Sequence, residues 1–383
     1  MSRPLSFYIH IPYCVKRCGY CDFNTYTPGE LKPGSDVAEV SNGYIDLVIQ
    51  ESKIARSQVK SDEKIPTIFF GGGTPTLMEP DDLGRLLKSL ENDFGFTRDI
   101  EITIEANPDT VSKEKLSALR SAGINRISFG MQSASAHVLA TLDRTHNPDN
   151  VVKATSWARQ VGFENVSVDL IYGTPGESME DWERTIESAL ALPINHISAY
   201  SLIVESGTKL AAQVARGEIP MPDDDQSADK YLLADQQFSA AGLNWYELSN
   251  WERDGGACRH NIAYWKGDNW WGLGPGAHSH LDGARFWNVK HPNAYRERIE
   301  AELSPIMESE QLTSAQMESE RVMLGIRLPQ GLPKSSLTSE SLAAIESYLT
   351  SGELSKESWE DGRVSLTLAG RLVADRIVRE ILM

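Results

Sequence analysis

Cysteine is scarce in this chain. It has four cysteines among 383 residues, and three of them, Cys14, Cys18 and Cys21, fall within eight positions. So few cysteines exclude a disulfide framework, because three clustered thiols cannot all pair. A cysteine-poor chain is also typical of a reducing compartment. We therefore expect a cytoplasmic protein.

Basic residues and long apolar runs are also in short supply. Thirty-seven Lys and Arg residues stand against 54 Asp and Glu residues, for a net charge of −17 at pH 7. This balance argues against a broad nucleic-acid surface and against a polybasic membrane patch. No run approaches the roughly 18 apolar residues of a membrane span, and residues 1–6 carry no signal-peptide pattern. We expect no nucleic-acid partner and no integral membrane segment.

The chain does contain one dense cysteine motif, C-x3-C-x2-C, within residues 8–24. A [4Fe–4S] cluster normally takes four thiolates, so three would leave one iron with open positions for a small molecule. A zinc site would need a fourth ligand at short spacing, for which His10 is the candidate. Three unrelated buried thiols are the remaining interpretation. The clustering favours an iron–sulfur cluster with a vacant site.

Short apolar runs alternate with helical patterns over residues 7–201. The pattern predicts strands at 7–11, 67–70, 102–105, 126–129, 166–172 and 196–201. Six such strand–helix units joined by short loops indicate a parallel sheet, either an open doubly wound sheet or a complete or partial barrel. Polar and glycine-rich segments follow nearly every strand, at the edge where a barrel concentrates its site.

The organisation changes after about residue 205. Residues 207–225 resemble a linker, 244–251 a strand, and 363–370 a short strand before an amphipathic helix. We predict a core over 1–245, an aromatic linking region over 246–291 and a smaller C-terminal α+β domain over 292–383. The last has a winged-helix-like pattern. Winged helices often bind DNA, but the acidic balance favours a packing or partner role.

The cysteine motif, with the aromatic Tyr20 before its third cysteine, resembles the signature of the radical S-adenosylmethionine (SAM) superfamily. The resemblance implies that SAM chelates the open iron and that an electron from the cluster cleaves its C–S bond. It also implies an incomplete six-stranded (β/α) barrel for the core, an architecture that periodicity alone does not select.

Further segments resemble the oxygen-independent coproporphyrinogen III oxidase-like group. They are Tyr-Ile-His-Ile-Pro, Gly-Gly-Gly-Thr-Pro-Thr, Phe-Gly-Met-Gln and Val-Asp-Leu-Ile-Tyr-Gly-Thr-Pro, over roughly residues 5–285. The resemblance implies contacts to the cluster-bound SAM from Tyr8, Gly72 and Glu105. It implies positions around a second SAM at Tyr20, Gly73, Thr74, Gln132, Arg144 and Asp169, with Ile203.

These positions have structural alternatives. The glycine triplet at 71–73 could be a tight turn, and Glu105 could be a solvated strand terminus. Arg144 and Asp169 could form a structural ion pair. The family match favours the ligand roles.

Two departures separate the chain from the oxidases within this group. Phe23 occupies the position of a further cysteine, and the first cysteine is already residue 14, without the oxidases' leading segment. Both differences resemble the heme chaperones of the HemW type, the sister group. This likeness implies heme as a further cofactor.

The HemW-type group also has an H-N-x-x-Y-W motif, which His260 begins here. A neutral imidazole is a good axial ligand for heme iron, and aromatic side chains can cover a porphyrin face. The aromatic residues nearby are Tyr264, Trp265, Trp270 and Trp271. His278 and His280 are rival ligands. Cys258 is either a thiolate ligand or, as we favour, an idle thiol.

The resemblance therefore supports a heme chaperone that binds heme, one [4Fe–4S] cluster and SAM and passes heme to an acceptor protein. An oxidase that decarboxylates coproporphyrinogen III and a radical SAM enzyme acting on another substrate are the alternatives. A heme-accepting protein and an electron donor to the cluster are the expected partners, and a homodimer is possible. Whether the protein is an enzyme in the strict sense stays open.

Overall fold

The computed structural model describes residues 3–59, 63–144 and 146–383. Within these ranges the strands form a twelve-stranded mixed sheet and a separate two-stranded sheet. No described helix has the length and apolar character needed to cross a bilayer.

Six parallel strands, each paired with the next along the chain, form the centre of the large sheet. They are β1 Leu5–Ile11, β2 Ile65–Gly72, β3 Phe96–Ala106, β4 Arg126–Gln132, β5 Asn165–Tyr172 and β6 His196–Ser201. Every strand expected over residues 7–201 is present. The outer edges of β1 and β6 pair with later strands instead of with each other, so the described sheet is an open barrel. The prediction of an incomplete six-stranded barrel is confirmed.

Helices pack on the outside of this barrel, in the intervals between its strands. They are α1 Pro28–Leu31, α2 Val37–Ser41, α3 Tyr44–Gln58, α4 Pro80–Phe94, α5 Lys113–Ser121, α6 Ala136–Thr141, α7 Pro148–Gln160 and α8 Met179–Leu190. Helix α4 shows why these helices pack against the barrel. It buries one apolar face, on which four leucines recur at helical spacing: Leu83, Leu86, Leu87 and Leu90. Pro80 opens that helix, since proline lacks the N–H that a first turn leaves unpaired.

The strands alternate between apolar residues facing the helices and polar residues facing the barrel interior. On β4, Ile127 and Phe129 are buried in the core, whereas Arg126 and Ser128 line an internal cavity. Strand β5 repeats the pattern with Asp169 on the inner face. A barrel interior is usually filled by branched apolar side chains. The interior of this barrel instead contains a cavity lined by polar side chains, and the site described below lies there.

The chain after β6 extends the sheet at both edges. Its elements are α9 Lys209–Ala215, α10 Asp224–Ala240, β7 Asn244–Glu247, β8 Asn250–Glu252, α11 Arg259–Lys266, β9 Asn269–Leu273, β10 His278–Leu281, β11 Ala284–Asn288, α12 Pro292–Glu300 and β12 Ile306–Gln311. Strand β9 returns to β1 and pairs with it in parallel. Helix α9 lies inside the segment expected to be a linker, where Thr208 accepts a hydrogen bond from the Ala211 N–H and caps its start.

The C-terminal part is small and mostly helical. It contains α13 Ser314–Gly325, β13 Leu332–Pro333, α14 Ser339–Ile345, α15 Ser347–Ser351, α16 Lys356–Glu360, β14 Arg363–Val364, α17 Leu368–Leu372 and α18 Ala374–Leu382. The strand expected over 363–370 is only two residues long, because β14 pairs with the equally short β13.

The two largest of three clusters of buried apolar side chains lie in different parts of the chain. One runs from Leu5 to Ile299 and the other from Val322 to Ile381. Arg371 joins the second part to the barrel: it bonds Asp235 at 2.6 Å, and its guanidinium lies 3.8 Å from the centre of the Trp245 ring. The domain boundaries at 245 and 291 remain predictions.

Candidate functional site

A cavity of about 760 Å³ opens at the carboxyl ends of the six parallel strands and continues down into the barrel. It brings together residues that are up to 256 positions apart in sequence, from Tyr8 to Tyr264. Its lining includes all of the following predicted site residues: Tyr8, Cys14, Cys18, Tyr20, Cys21, Gly72, Gly73, Thr74, Glu105, Gln132, Arg144, Asp169, Ile203, Cys258 and His260. The roles assigned to these residues remain predictions.

The three clustered cysteines lie in the loop after β1, on one side of the cavity mouth. Cys14 is buried, Cys18 and Cys21 are partly exposed, and all three are free thiols. The Thr74 hydroxyl donates to the Cys14 sulfur at 3.7 Å, and Arg144 donates to the Cys18 sulfur at 3.5 Å. Burial raises the pKa of Cys14 to about 11, and repulsion from the other two thiols adds to the shift. The loop therefore concentrates sulfur ligands that iron would stabilise as thiolates.

This arrangement fits a cluster better than a single metal ion. Among the described residues, no three His, Cys, Asp or Glu side chains converge on one point where an ion could bind. In a [4Fe–4S] cluster each cysteine binds a different iron, so the sulfurs need not converge. His10, the candidate zinc ligand, already uses both ring nitrogens: Nδ1 faces the Tyr8 hydroxyl at 3.1 Å and Nε2 faces the Asn24 carbonyl at 2.8 Å.

The glycine loop after β2 packs directly under the cysteine loop. The Gly73 N–H donates to the Ile11 carbonyl at 2.7 Å, and the Thr74 N–H donates to the Tyr13 carbonyl at 2.9 Å. A Cβ on Gly73 would lie 2.5 Å from the Tyr13 oxygen. Gly72 has a φ of +109°, which favours glycine. The triplet is therefore a close contact that holds the cysteine loop, as well as bare backbone facing the cavity.

Two carboxyl groups face each other inside the barrel. Burial, together with the negative charge of Asp169, raises the pKa of Glu105 to about 8, although the Gly72 N–H donates to it at 3.2 Å. Burial also raises the pKa of Asp169, which accepts from the Ser128 hydroxyl at 2.9 Å. A buried carboxyl pair of this kind gains from a cationic ligand, which would favour the ionised forms.

Arg144 and Gln132 line the same cavity as these carboxyl groups. Arg144 donates to the Gly130 carbonyl at 2.8 Å, while its Nε is buried without a hydrogen-bond partner among the described residues. The described residues show no ion pair between Arg144 and Asp169, so the structural alternative for these two side chains is not observed. Gln132 adopts a φ of +61° at an irregularity in the β4–β5 pairing. Strained backbone at a non-glycine residue is often found at functional sites.

His260 lies at the opposite, deep end of the cavity, in the first turn of α11. It is 1% exposed, and its ring stacks on Phe69 with the ring centres 5.4 Å apart. Its Nδ1 is 2.8 Å from the Thr67 hydroxyl and its Nε2 is 2.9 Å from the Tyr264 hydroxyl. Burial lowers the pKa of His260 to about 3, so the imidazole is neutral.

The hydrogen bonds assign the tautomer of that ring. The Thr67 hydroxyl donates to Ser6 Oγ at 2.8 Å, so it accepts from His260 and Nδ1 carries the proton. The Nε2 lone pair then accepts from Tyr264, a residue on the cavity wall. A metal-binding histidine usually has this arrangement, in which Nδ1–H is anchored and Nε2 carries no proton.

The remaining aromatic and histidine candidates lie away from the cavity. Trp271 packs in the core against Phe286, and Trp270 packs against Tyr264 and His280. Trp265 lines a small groove near α13.

The two rival histidines lie on β10. His278 is exposed and stacks on Trp287. His280 is held by the Asp268 carbonyl at 3.3 Å and the Gly283 N–H at 3.2 Å. Of the aromatic residues named with His260, only Tyr264 shares its cavity.

Several residues that line the cavity were not predicted from the sequence. They are Arg126, Ser128, Ser167, His196, Ser198, Tyr200, Asn250 and Asn261. The available signal was the alternation on β4, β5 and β6, where a polar residue occupies every second position of an otherwise apolar strand. Such alternation is unusual in a parallel strand covered by helices, whose two faces are normally both apolar.

Comparisons with known proteins agree with this geometry. The family model described as "Radical SAM superfamily" matches residues 8–189. A Mycobacterium tuberculosis (strain H37Rv) protein named "Heme chaperone HemW" is 43% identical over 381 residues, covering all of this chain and 95% of that protein. A Bacillus subtilis protein of the same name is 35% identical, covering 86% of this chain and 85% of that protein.

One solved structure also matches nearly the whole fold. It is the coproporphyrinogen III oxidase of Escherichia coli, described as a radical SAM enzyme, with a TM-score of 0.82 and 23% identity. The match covers 99% of this chain and 90% of the oxidase chain. At this identity it shows a shared fold. The family model and the two relatives, at 43% and 35% identity, show that the chain belongs to the HemW family within the radical SAM superfamily.

Proposed function

We propose that the protein is a heme chaperone that binds heme, one [4Fe–4S] cluster and SAM and passes heme to an acceptor protein. The observation that carries the proposal is the 43% identity, over the full chain, to a protein named as a heme chaperone. The cavity supports it, because the cysteine loop and the His260 helix open on the same space. A heme-accepting protein and an electron donor are the partners, and the cytoplasm is the compartment in which the thiols would stay reduced.

Cys14, Cys18 and Cys21 hold the cluster in this proposal. When bound, the cluster supplies an electron to SAM and an open iron that SAM chelates. The donors from Thr74 and Arg144 to the sulfurs would stabilise negative charge at the cysteine ligands. Tyr8, Gly72 and Glu105 hold SAM beside the cluster, with the ionised Glu105 accepting from its cationic amino group.

His260 holds the heme iron in this proposal. Its Nδ1–H stays bonded to Thr67, which orients the ring, and Nε2 exchanges the Tyr264 hydroxyl for iron. The exchange requires Tyr264 to move, since His260 is almost fully covered. His278 and His280 remain alternatives to be tested in parallel.

A coproporphyrinogen III oxidase is the second candidate. The observation in its favour is that the positions resembling those around a second SAM, Tyr20, Gly73, Thr74, Gln132, Arg144 and Asp169, all line one cavity. Phe23, 63% exposed where the oxidases have a further cysteine, counts against it.

Anaerobic reconstitution with iron and sulfide, followed by separate incubation with heme and with coproporphyrinogen III, distinguishes the two functions. We expect stoichiometric heme binding and transfer of that heme to apomyoglobin as a probe acceptor. We expect no decarboxylation with SAM and a strong reductant. Protoporphyrinogen formed over many turnovers would replace the chaperone proposal with the oxidase.

A further inference from the structure

The floor of the cavity, defined by the inward residues at the amino ends of β4, β5 and β6, carries one cationic side chain. These residues are Arg126, Ser167 and His196. The His196 ring is bonded to the Ser167 hydroxyl at 2.6 Å and to the Tyr246 hydroxyl at 2.7 Å. Burial lowers the pKa of His196 well below its usual range, so it is neutral. Arg126 is therefore the charged group of the floor.

Arg126 is buried without a direct ion pair among the described residues, although its positive charge acts on the Asp169 carboxyl and partly counters the burial that raises the pKa of Asp169. Arg126 is 2% exposed, and its one hydrogen bond to a described residue runs from Nη1 to the Gly256 carbonyl at 2.5 Å. It forms no ion pair within the described part of the chain. Buried arginines are almost always paired, because an isolated charge in a low-dielectric interior is costly. Its remaining N–H groups have no described acceptor, and the side chain lines the cavity.

The carboxyl groups nearby are engaged elsewhere. Asp169 accepts from Ser128, as described above, and Glu101 accepts from the backbone N–H groups of Arg259 and His260 at 3.1 and 3.0 Å. Next to Arg126 in the β3–β4 register, the buried Thr103 hydroxyl also has no hydrogen-bond partner among the described residues. The floor thus presents a donor group and a hydroxyl that lack an acceptor.

We propose that Arg126 binds a carboxylate of the ligand that enters the barrel, and that this carboxylate is a propionate of heme. The inference rests on the heme function proposed above and adds a site to it. A guanidinium matches a carboxylate in geometry and can donate two parallel hydrogen bonds. The pairing would also give Arg126 the direct anionic contact that the described residues do not supply.

The position of Arg126 relative to His260 agrees with this assignment. His260 stacks on Phe69 of β2, and Arg126 belongs to β4, two strands away. Phe69 and Arg126 lie level with each other through Thr103 of β3, and adjacent strands are about 4.8 Å apart, so their backbones are separated by roughly 10 Å. That distance is of the same order as the span from the centre of a porphyrin to its propionate carboxylates. Iron at His260 and a propionate at Arg126 can thus belong to one macrocycle.

Esterification of the propionates tests the proposal in the unaltered protein. Heme and heme dimethyl ester have the same iron and ring, but the ester lacks the carboxylate charge. We expect the reconstituted full chain to bind the ester at least about tenfold more weakly, as the loss of a charge-assisted hydrogen bond predicts. Equal affinities would overturn the Arg126 assignment and leave the heme function intact. Binding of neither compound would instead overturn the heme function itself.

Substitution locates the effect at Arg126. Arg126→Met should bind heme and its ester equally, and Arg126→Lys should restore part of the difference. The control is Arg120→Met, because Arg120 also donates to a glycine carbonyl, that of Gly162, but lies on the outer helix α5. This control should keep the full preference for heme. A full preference retained in Arg126→Met would overturn the assignment.

SAM is the other source of a carboxylate in this cavity. Its affinity, measured with wild-type protein and with Arg126→Met, should be the same within twofold, because Arg126 lies at the amino ends of the strands, away from the cysteine loop. Weaker SAM binding with unchanged heme binding would overturn the propionate assignment in favour of SAM. If Arg126→Met does not fold, the ester comparison in the wild-type protein still decides whether a propionate is bound.

Discussion

The cavity mouth and the His260 side chain at the deep end differ in whether their candidate ligand atoms already have partners. At the mouth, Cys18 and Cys21 are partly exposed, and Arg144 leaves one buried nitrogen without a partner. At the deep end, His260 already uses both ring nitrogens, through the Thr67 and Tyr264 hydroxyls. The mouth thus has groups prepared for a cofactor, whereas ligation at His260 must first break an internal bond. Iron ligation at His260 should therefore be weaker and more reversible than cofactor binding at the mouth, as delivery of a cargo requires.

The sharpest test of the mouth is removal of each clustered cysteine. Cys14→Ala, Cys18→Ala and Cys21→Ala should each abolish the [4Fe–4S] cluster, because a remaining pair of thiolates cannot hold it. Iron analysis and the visible absorbance of the reconstituted protein measure this loss. Cys258→Ala is the matched control and should retain the cluster, since that thiol is buried and donates to Glu101, outside the cysteine loop. A full cluster in all three variants would contradict the assignment.

The corresponding test at the deep end of the cavity concerns His260. His260→Ala should weaken heme binding and shift the Soret band while the iron–sulfur absorbance stays. Thr67→Val should weaken heme binding by roughly 10- to 100-fold, because it removes the hydroxyl that orients the His260 ring. Titration with heme, followed by absorbance, measures both effects.

His278→Ala and His280→Ala are the controls for that experiment. Both should bind heme as the wild type does, because neither side chain lines the cavity. An unchanged spectrum in His260→Ala, with a loss in either control, would move the ligand to β10.

A smaller effect is expected from filling the contact below the cysteine loop. Gly73→Ala should lower the free energy of unfolding by roughly 1–3 kcal/mol, because its Cβ would press on the Tyr13 carbonyl. Gly29→Ala is the control, since no atom lies within 4 Å of its added Cβ. Denaturant unfolding of the protein without cofactors compares the two. Equal stabilities would mean that the two loops are not tightly packed.

A pH dependence is expected at Glu105. Its pKa of about 8 in the folded chain lies above the ordinary carboxyl value, so folding takes up a proton. Stability of the cofactor-free protein should therefore fall as pH rises from about 5 to about 8, and Glu105→Gln should reduce that slope. SAM binding should strengthen over the same range, by at most about tenfold per pH unit, since its amino group needs the ionised carboxylate. Calorimetric titration at several pH values measures this; an affinity that does not change with pH would exclude Glu105 as the acceptor.

Much of the upper barrel could be predicted from sequence. Each of the strands β1–β6 is a short apolar run followed by glycine or polar residues, and parallel strands place their carboxyl ends at one edge. The cysteine spacing indicated the cluster because Cys14, Cys18 and Cys21 lie close together in sequence. The floor was not predicted. Arg126 and His196 are polar residues within apolar strands, and their significance depends on which face each strand turns inward.

The features that could be read from the order of residues are therefore local: the strand and helix order, the cysteine motif and the residues that follow each strand. The tertiary structure alone decided that β9 returns beside β1 and that α11 places His260 under the same cavity as the cysteines. It also decided that Trp271 belongs to the core. The physical reason is that pairing between segments more than two hundred residues apart depends on burial and hydrogen bonding in the whole fold, which no short pattern encodes.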